Sequence, residues 1–293
     1  MEGHTAFKLR DHFHPPNEPF YDIYLSRNQD QVFFPAYWDY RKYLLSLRIV
    51  WQRIRDECSK IGDYYTRELS KSSEWPPSQE TLSLMASRGA TSNVLELDIE
   101  TFIILARRFM DKVGLLVEKL IAIPKGMKPR NSFTDHKKFF LKNRGIESNY
   151  TKFLEDKTYW YEQELLILRD KVFSHGGTKV FSTAVSIHDG VSLRPMDKFG
   201  PLSDFHKKTF LPMKSKYEGL HLLKVTNNDY EMLNDFYQQI RNKGIKFEKP
   251  DLDAFGEIVA SSGGIEITEE SLESIADSIE DFTREVVVIL DHA

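Results

Sequence analysis

Apolar side chains return every three or four residues along two long stretches of the chain, and that spacing predicts two long helices. In the first, Tyr43, Leu47, Trp51, Ile54, Cys58, Ile61 and Tyr65 fall on one stripe. Trp75-Pro76-Pro77 breaks it, and residues 71 to 92 read as a Ser-rich loop with Thr91 or Ser92 as the N-cap. In the second, Leu95, Ile99, Phe102, Ala106, Phe109, Val113, Leu116 and Leu120 keep the same alternation until Pro124 and Gly126 end it. Two long helices joined by a loop predict an antiparallel pair.

The flanking segments differ in pattern. Residues 1–36 hold Pro15, Pro16, Pro19 and Pro35 with no sustained period, and read as an irregular N-terminal arm packing through Phe13, Phe20 and Tyr21. A third helix is predicted from about Glu147 to Ser174, with Tyr161, Leu165, Leu168 and Val172 on its inner face. The period then becomes two. Phe181, Thr183, Val185 and Ile187 alternate with small or polar neighbours, Asp189-Gly190 supplies a turn, and Val191 and Leu193 resume, which predicts a hairpin. Leu220 to Val225 suits a further short strand. A helix capped by Asn227 or Asn228 carries Leu233, Phe236 and Ile240 and stops at Gly244, and residues 245–267 read as loop. A last helix spaces Leu272, Ile275, Ile279, Phe282, Val286 and Ile289 by three and four, with an acidic outer face. The expected fold is mainly α: an up-and-down helical bundle over 37–177, with a small β-hairpin insertion and C-terminal helices in 178–293.

Composition narrows the class without choosing a function. The chain has 293 residues, 41% hydrophobic and 29% charged, with a formal net charge of -4. That charge gives no global drive toward nucleic acid. One cysteine, Cys58, excludes an intramolecular disulfide, and its place on an apolar stripe marks a buried structural thiol rather than a nucleophile. The first fourteen residues hold no apolar core of signal-peptide length, and runs such as Val286 to Leu290 are too short to span a bilayer. A cytoplasmic protein without membrane partners is expected. His12 and His14 lack further ligands at convincing spacing, so no metal is expected. Gly89 and Gly263-Gly264 lack a nucleotide-loop context, so no cofactor is expected either.

Local chemistry concentrates in Leu165-Leu166-Ile167-Leu168-Arg169-Asp170-Lys171-Val172-Phe173-Ser174-His175-Gly176-Gly177. Arg169 and His175 are six residues apart, about 120° around an ideal helix, so they flank one apolar seam from opposite edges. A glycine after the helix lets the chain turn sharply, which frees His175 from ideal phase. The plain structural account is that cations near a helix C-terminus favour the macrodipole by about 0.3–1 kcal/mol. Asp98 and Asp111, on the second helix, are acids that could approach the pair. Asp98 alternatively complements an N-terminal dipole. Residues 125–144 are basic, with Lys125, Lys128, Arg130, Lys137, Lys138, Lys142 and Arg144 against Asp135, and interleave Phe133, Phe139 and Phe140. Such a segment can track an RNA backbone and stack bases. A solvated lysine-rich connector with core phenylalanines has the same sequence.

Long helix, long helix, then a helix ending in Arg169-Asp170 and His175-Gly176 resembles the HEPN superfamily, whose late helix carries an Arg-x(4–6)-His motif. The flanking residues look like those of abortive-infection and toxin-type members. The resemblance implies a HEPN-like bundle over 37–177, two motifs meeting in a homodimer, and metal-independent cleavage of single-stranded RNA. It assigns His175 as acid or base, Arg169 as phosphate clamp and Asp170 as an orienting partner; the basic segment separately offers Lys137, Lys138, Lys142 and Arg144 as RNA contacts. A histidine with an ordinary pKa near 6.5 can move the 2′-OH proton, and a guanidinium can hold the phosphate, giving a 2′,3′-cyclic phosphate. The alternative is a non-catalytic nucleotide- or protein-binding module with the acidic C-terminal helix as its partner surface.

Overall fold

A computed structural model describes residues 19–27, 33–67, 79–124, 126–127, 129, 131–174, 181–186, 190–195, 202–220, 229–262 and 264–291. The fold is mainly α-helical with a small antiparallel sheet. The helices are α1 (Pro19–Arg27), α2 (Phe33–Arg67), α3 (Gln79–Leu120), α4 (Phe133–Lys142), α5 (Ser148–Lys157), α6 (Asp204–Lys216), α7 (Asp229–Lys243), α8 (Lys249–Ser262) and α9 (Glu269–Asp291). Two π-helical segments, Tyr161–Leu166 and Leu168–Ser174, lie between α5 and the sheet. Among the described residues no helix is long and apolar enough to cross a membrane.

The chain forms two compact units. One comprises residues 1–49, 104–159 and 273–293, the other 50–103 and 160–272. Both draw on α2 and α3. In the first unit Tyr40 meets Phe109 with ring centroids 5.4 Å apart, and Lys112 pairs with Asp39 at 2.7 Å. In the second Trp51 meets Phe102 at 5.5 Å, and Arg53 pairs with Asp98 at 2.9 Å. In each unit the partner number falls along α3 as it rises along α2, so the two segments run antiparallel. The predicted stripes are the core: Leu47, Trp51, Ile54, Cys58 and Ile61 are buried, as is every predicted α3 position from Leu95 to Leu120.

In the first unit α4 starts at Ser132, whose hydroxyl accepts from the Asp135 amide and satisfies one of the free N–H groups of the first turn. Phe133, His136 and Phe140 face inward. His136 Nδ1 lies 2.8 Å from Glu118 Oε1, and Nε2 lies 2.9 Å from the Tyr150 hydroxyl. All three groups are satisfied when Nδ1–H donates to the carboxylate and the phenol donates to Nε2. Burial, then the Glu118 charge, holds the Tyr150 pKa well above its ordinary value, which keeps that phenol a donor. Gly114 is where α3 passes this histidine, and a Cβ there would stand 3.3 Å from the ring.

In the second unit β1 (Phe181–Ser186) and β2 (Gly190–Pro195) form the predicted hairpin, paired from Phe181 with Pro195 to Ser186 with Gly190. A short third strand, β3 (Ile267–Thr268), joins β2. It leads into α9 through a reciprocal cap: the Ser271 amide donates to Thr268 Oγ1, and the Thr268 amide donates to Ser271 Oγ, both at 3.0 Å.

Several expectations need correction. The arm over 1–36 is not irregular throughout. Pro19 opens α1, where its missing N–H costs nothing, and Phe20, Ile23 and Tyr24 bury one face. The loop expected over 71–92 yields to α3 from Gln79, because no proline follows Pro77 until the helix has ended. The loop over 245–267 contains α8, with Pro250 in its first turn and Phe255, Ile258 and Val259 buried. The single third helix breaks at Thr158, the C-cap of α5, and resumes in π form. On α9 the last inward residue is Leu290 rather than Ile289. Leu220 is not in a strand, and residues 221–225 lie outside the described residues.

Replacing His136 with leucine leaves the Glu118 carboxylate and the Tyr150 hydroxyl without their partner. A loss of about 2–4 kcal/mol in urea unfolding is expected; a loss below about 1 kcal/mol would show that the histidine serves only as filler.

Candidate functional site

The stretch that carries Arg169 is helical because it is largely buried. Tyr161, Leu165, Ile167 and Leu168 are in the core of the second unit, and α8 packs against Leu168–Ser174. Its winding is π, with i→i+5 hydrogen bonds. Such segments are rare and often occur at functional sites. An α-helical stripe through Tyr161, Leu165 and Leu168 would turn Gln163 away from the core. Here the opposite side is covered as well. Gln163 is buried, its Nε2 donates to the Ile245 carbonyl, and its Oε1 accepts from the Phe247 amide at 2.6 Å.

The arginine of the motif stays at the surface. Its side chain is 39% exposed and that of Asp170 33%, and Arg169 Nη1 donates to Asp170 Oδ1. Exposure leaves the guanidinium able to reach a ligand, while the adjacent carboxylate limits its swing. His175, Gly176 and Gly177 lie outside the described residues, as do His12, His14 and Asp189.

The structure gives Asp98 and Asp111 other partners. Asp98 is buried well inside α3, far from that helix's N-terminus, and pairs with Arg53. Burial raises its pKa, with Arg53 opposing. Asp111 accepts from Arg107 and, at 2.7 Å, from the Phe133 amide. The basic segment divides in the same way. Arg144 is held by Glu155 through two bonds of 3.0 and 2.8 Å, and Lys137 is half-buried. Lys138 and Lys142 are exposed one turn apart on α4. Phe133 and Phe140 are core residues and are not available to stack on bases.

Sequence reading missed a second polar group. Glu164 follows Gln163 and is buried; Tyr237 and Arg241, one turn apart on α7, are buried with it. Burial is the main cause that pushes the Glu164 carboxyl up to about 7, and Arg241 partly opposes it. Burial first, then the Glu164 charge, also raises the Tyr237 phenol. Arg241 Nη2 pairs with Glu270 at 3.1 Å. Glu164 Oε2, Tyr237 Oη and Arg241 Nη1 have no hydrogen-bond partner among the described residues. Periodicity could not reveal this group, because its members are far apart in sequence and Glu164 sits on a helix of unexpected winding. Cys58 is buried, and burial, then Glu269 and Glu57, pushes its thiol up to about 12. It is a structural thiol, as its place on the stripe implied.

Comparison of the chain with protein-family models, with curated proteins and with solved structures gives no match.

Two outcomes follow from these burials. Folded Glu164 keeps its proton up to about pH 7, whereas the ordinary value is 4.5. The folded chain therefore binds the extra proton between these limits, and stability falls as pH rises through that window, by on the order of 3 kcal/mol. Glu164→Gln should remove this slope, so the urea midpoints of variant and parent should diverge between pH 5 and pH 8; parallel profiles would refute it. Cys58 should react with a maleimide at neutral pH only after unfolding, and rapid labelling of the native chain would contradict its assigned burial.

Proposed function

We propose that the chain is a metal-independent endoribonuclease of HEPN type that cuts single-stranded RNA in the cytoplasm, in a defence or toxin context. Support comes from the motif and from one observation of geometry: the Arg169 guanidinium is part-exposed and tethered by Asp170 on the π-helical run that leads into His175. In this reading His175 takes the 2′-OH proton or protonates the leaving 5′ oxygen. Arg169 holds the phosphate and its developing charge, and Asp170 orients Arg169. The 2′ oxygen attacks phosphorus, the P–O5′ bond breaks, and the products are a 2′,3′-cyclic phosphate and a free 5′-OH. Lys138 and Lys142, with Lys137 and Arg144 beside them, supply backbone contacts. A HEPN-like up-and-down bundle over 37–177 and a homodimer that pairs two motifs belong to the same reading.

A second reading, a module that binds nucleotide or protein without cleavage, is favoured by one feature. With Phe133 and Phe140 in the core and Phe139 half-buried, α4 offers more charge than base-stacking surface.

The test incubates the purified chain, in EDTA, with a single-stranded RNA and with DNA of the same sequence. Parent protein should cut only the RNA and leave cyclic phosphate ends. His175→Ala and Arg169→Ala should each lower the rate at least about 100-fold. Equal cleavage by all three proteins means a contaminating nuclease and ends the proposal. RNA binding without cleavage by the parent selects the second reading.

A further inference from the structure

Helix α2 carries two apolar rows, and among the described residues only one is buried. The inner row, Phe33, Tyr37, Tyr40, Leu44 and Leu47, is buried in the first unit. On the outer side Trp38, Leu45 and Ile49 are 59%, 59% and 52% exposed. At about 100° per residue they lie within about 40° of arc, in single file over about 16 Å. Lone exposed apolar residues need no explanation, but a row of three large ones on one helix face does.

The charges beside the row have one sign. Arg41, Lys42 and Arg48 lie within about 80° of its centre. The Arg41 guanidinium covers the Trp38 ring at 5.4 Å. Asp39 is the sole acid between Phe33 and Ile49, and Lys112 takes it at 2.7 Å. Trp38, Lys42, Leu45 and Ile49 are spaced four, three and four, the spacing of a helix–helix seam; Arg41 and Arg48 lie on one edge of the apolar row and Lys42 on the other.

We propose that this face docks an amphipathic helix of another protein, one that presents an apolar row flanked by glutamates or aspartates. Seam spacing fits one helix lying along α2, and the basic flanks fix the sign of the partner. A lipid surface fits less well. Interfacial helices bury a broad apolar face, whereas this row is one residue wide and α2 cannot roll, because its opposite side is core. A second copy also fits less well. Two α2 faces would set Lys42 against Lys42 when parallel and the Arg41–Arg48 edge against itself when antiparallel, and the exposed row of α9 (Asp277, Asp281, Arg284, Val288 and Asp291) offers one apolar side chain. The inference does not rest on the nuclease reading, since no motif residue takes part.

The probe is a fluorescein-labelled peptide of about three heptads with leucine along the seam and glutamate on both flanks. A twin peptide carries lysine on the flanks. Polarisation with the full chain should show saturable binding of the glutamate peptide, weakening as salt rises, and none of the lysine peptide. Leu45→Asp, and separately Lys42→Glu with Arg48→Glu, should each weaken binding at least about tenfold. These positions are at the surface, and far-UV circular dichroism checks that each variant keeps its fold. The proposal is overturned if the glutamate peptide fails to bind, if both peptides bind alike, or if Leu45→Asp has no effect. Phosphatidylserine vesicles bound in a Leu45-dependent way would transfer the face to a membrane. A dimer that Leu45→Asp dissociates would transfer it to a second copy.

Discussion

Helices α2 and α3 each keep a large apolar side chain every three or four residues, and nearly all else in the fold depends on these two rows meeting. Leu47, Ile54, Phe102, Phe109 and Val113 are at or near complete burial. Side chains of this size each contribute roughly 1.5–3 kcal/mol when removed from water. Rows that long cannot be hidden by a single neighbour, so each unit recruits further elements. In the first, Phe282 of α9 meets Phe133 at 5.4 Å and Phe153 at 5.2 Å. In the second, Phe236 of α7 meets Phe210 of α6 at 4.7 Å and Phe255 of α8 at 5.7 Å.

A core this rich in aromatic groups leaves little room for polarity, and the polar groups inside it meet two fates. His136 is fully satisfied between Glu118 and Tyr150 and adds specificity to the docking of α4 and α5. Glu164, Tyr237 and Arg241 are not: each retains an atom without a hydrogen-bond partner among the described residues. An acid in that position avoids much of the cost of burial by keeping its proton, which is why its pKa rises. The same π-helical run therefore holds a protonatable carboxyl in the interior and, five residues on, an arginine at the surface.

The surface cations are of two kinds. Arg53 and Arg107 are committed to acids of their own unit and contribute to the fold, whereas the Arg144–Glu155 pair is exposed and adds little to it. Lys138, Lys142, Lys42 and Arg48 are exposed and lie beside helical faces that the core does not use. Arg169 stands between these kinds, paired with its own neighbour in sequence yet open to solvent. A charge held in that way is oriented without being neutralised by burial.

The sequence by itself determined what depends on near neighbours along the chain. The stripes of α2, α3 and α9, the hairpin between Phe181 and Pro195, the buried thiol of Cys58 and the Arg169–Asp170 pair all follow from spacing over a few residues, because helix and strand periods are local. Tertiary structure decided the rest. It wound Tyr161–Leu166 and Leu168–Ser174 as π-helix and buried Gln163 against the α7–α8 connection. It gave Asp98 to Arg53 and Asp111 to the α4 start, and it set Phe133 and Phe140 in the core. Each of these outcomes depends on which surface arrives from a distant part of the chain, and a one-dimensional period carries no record of that.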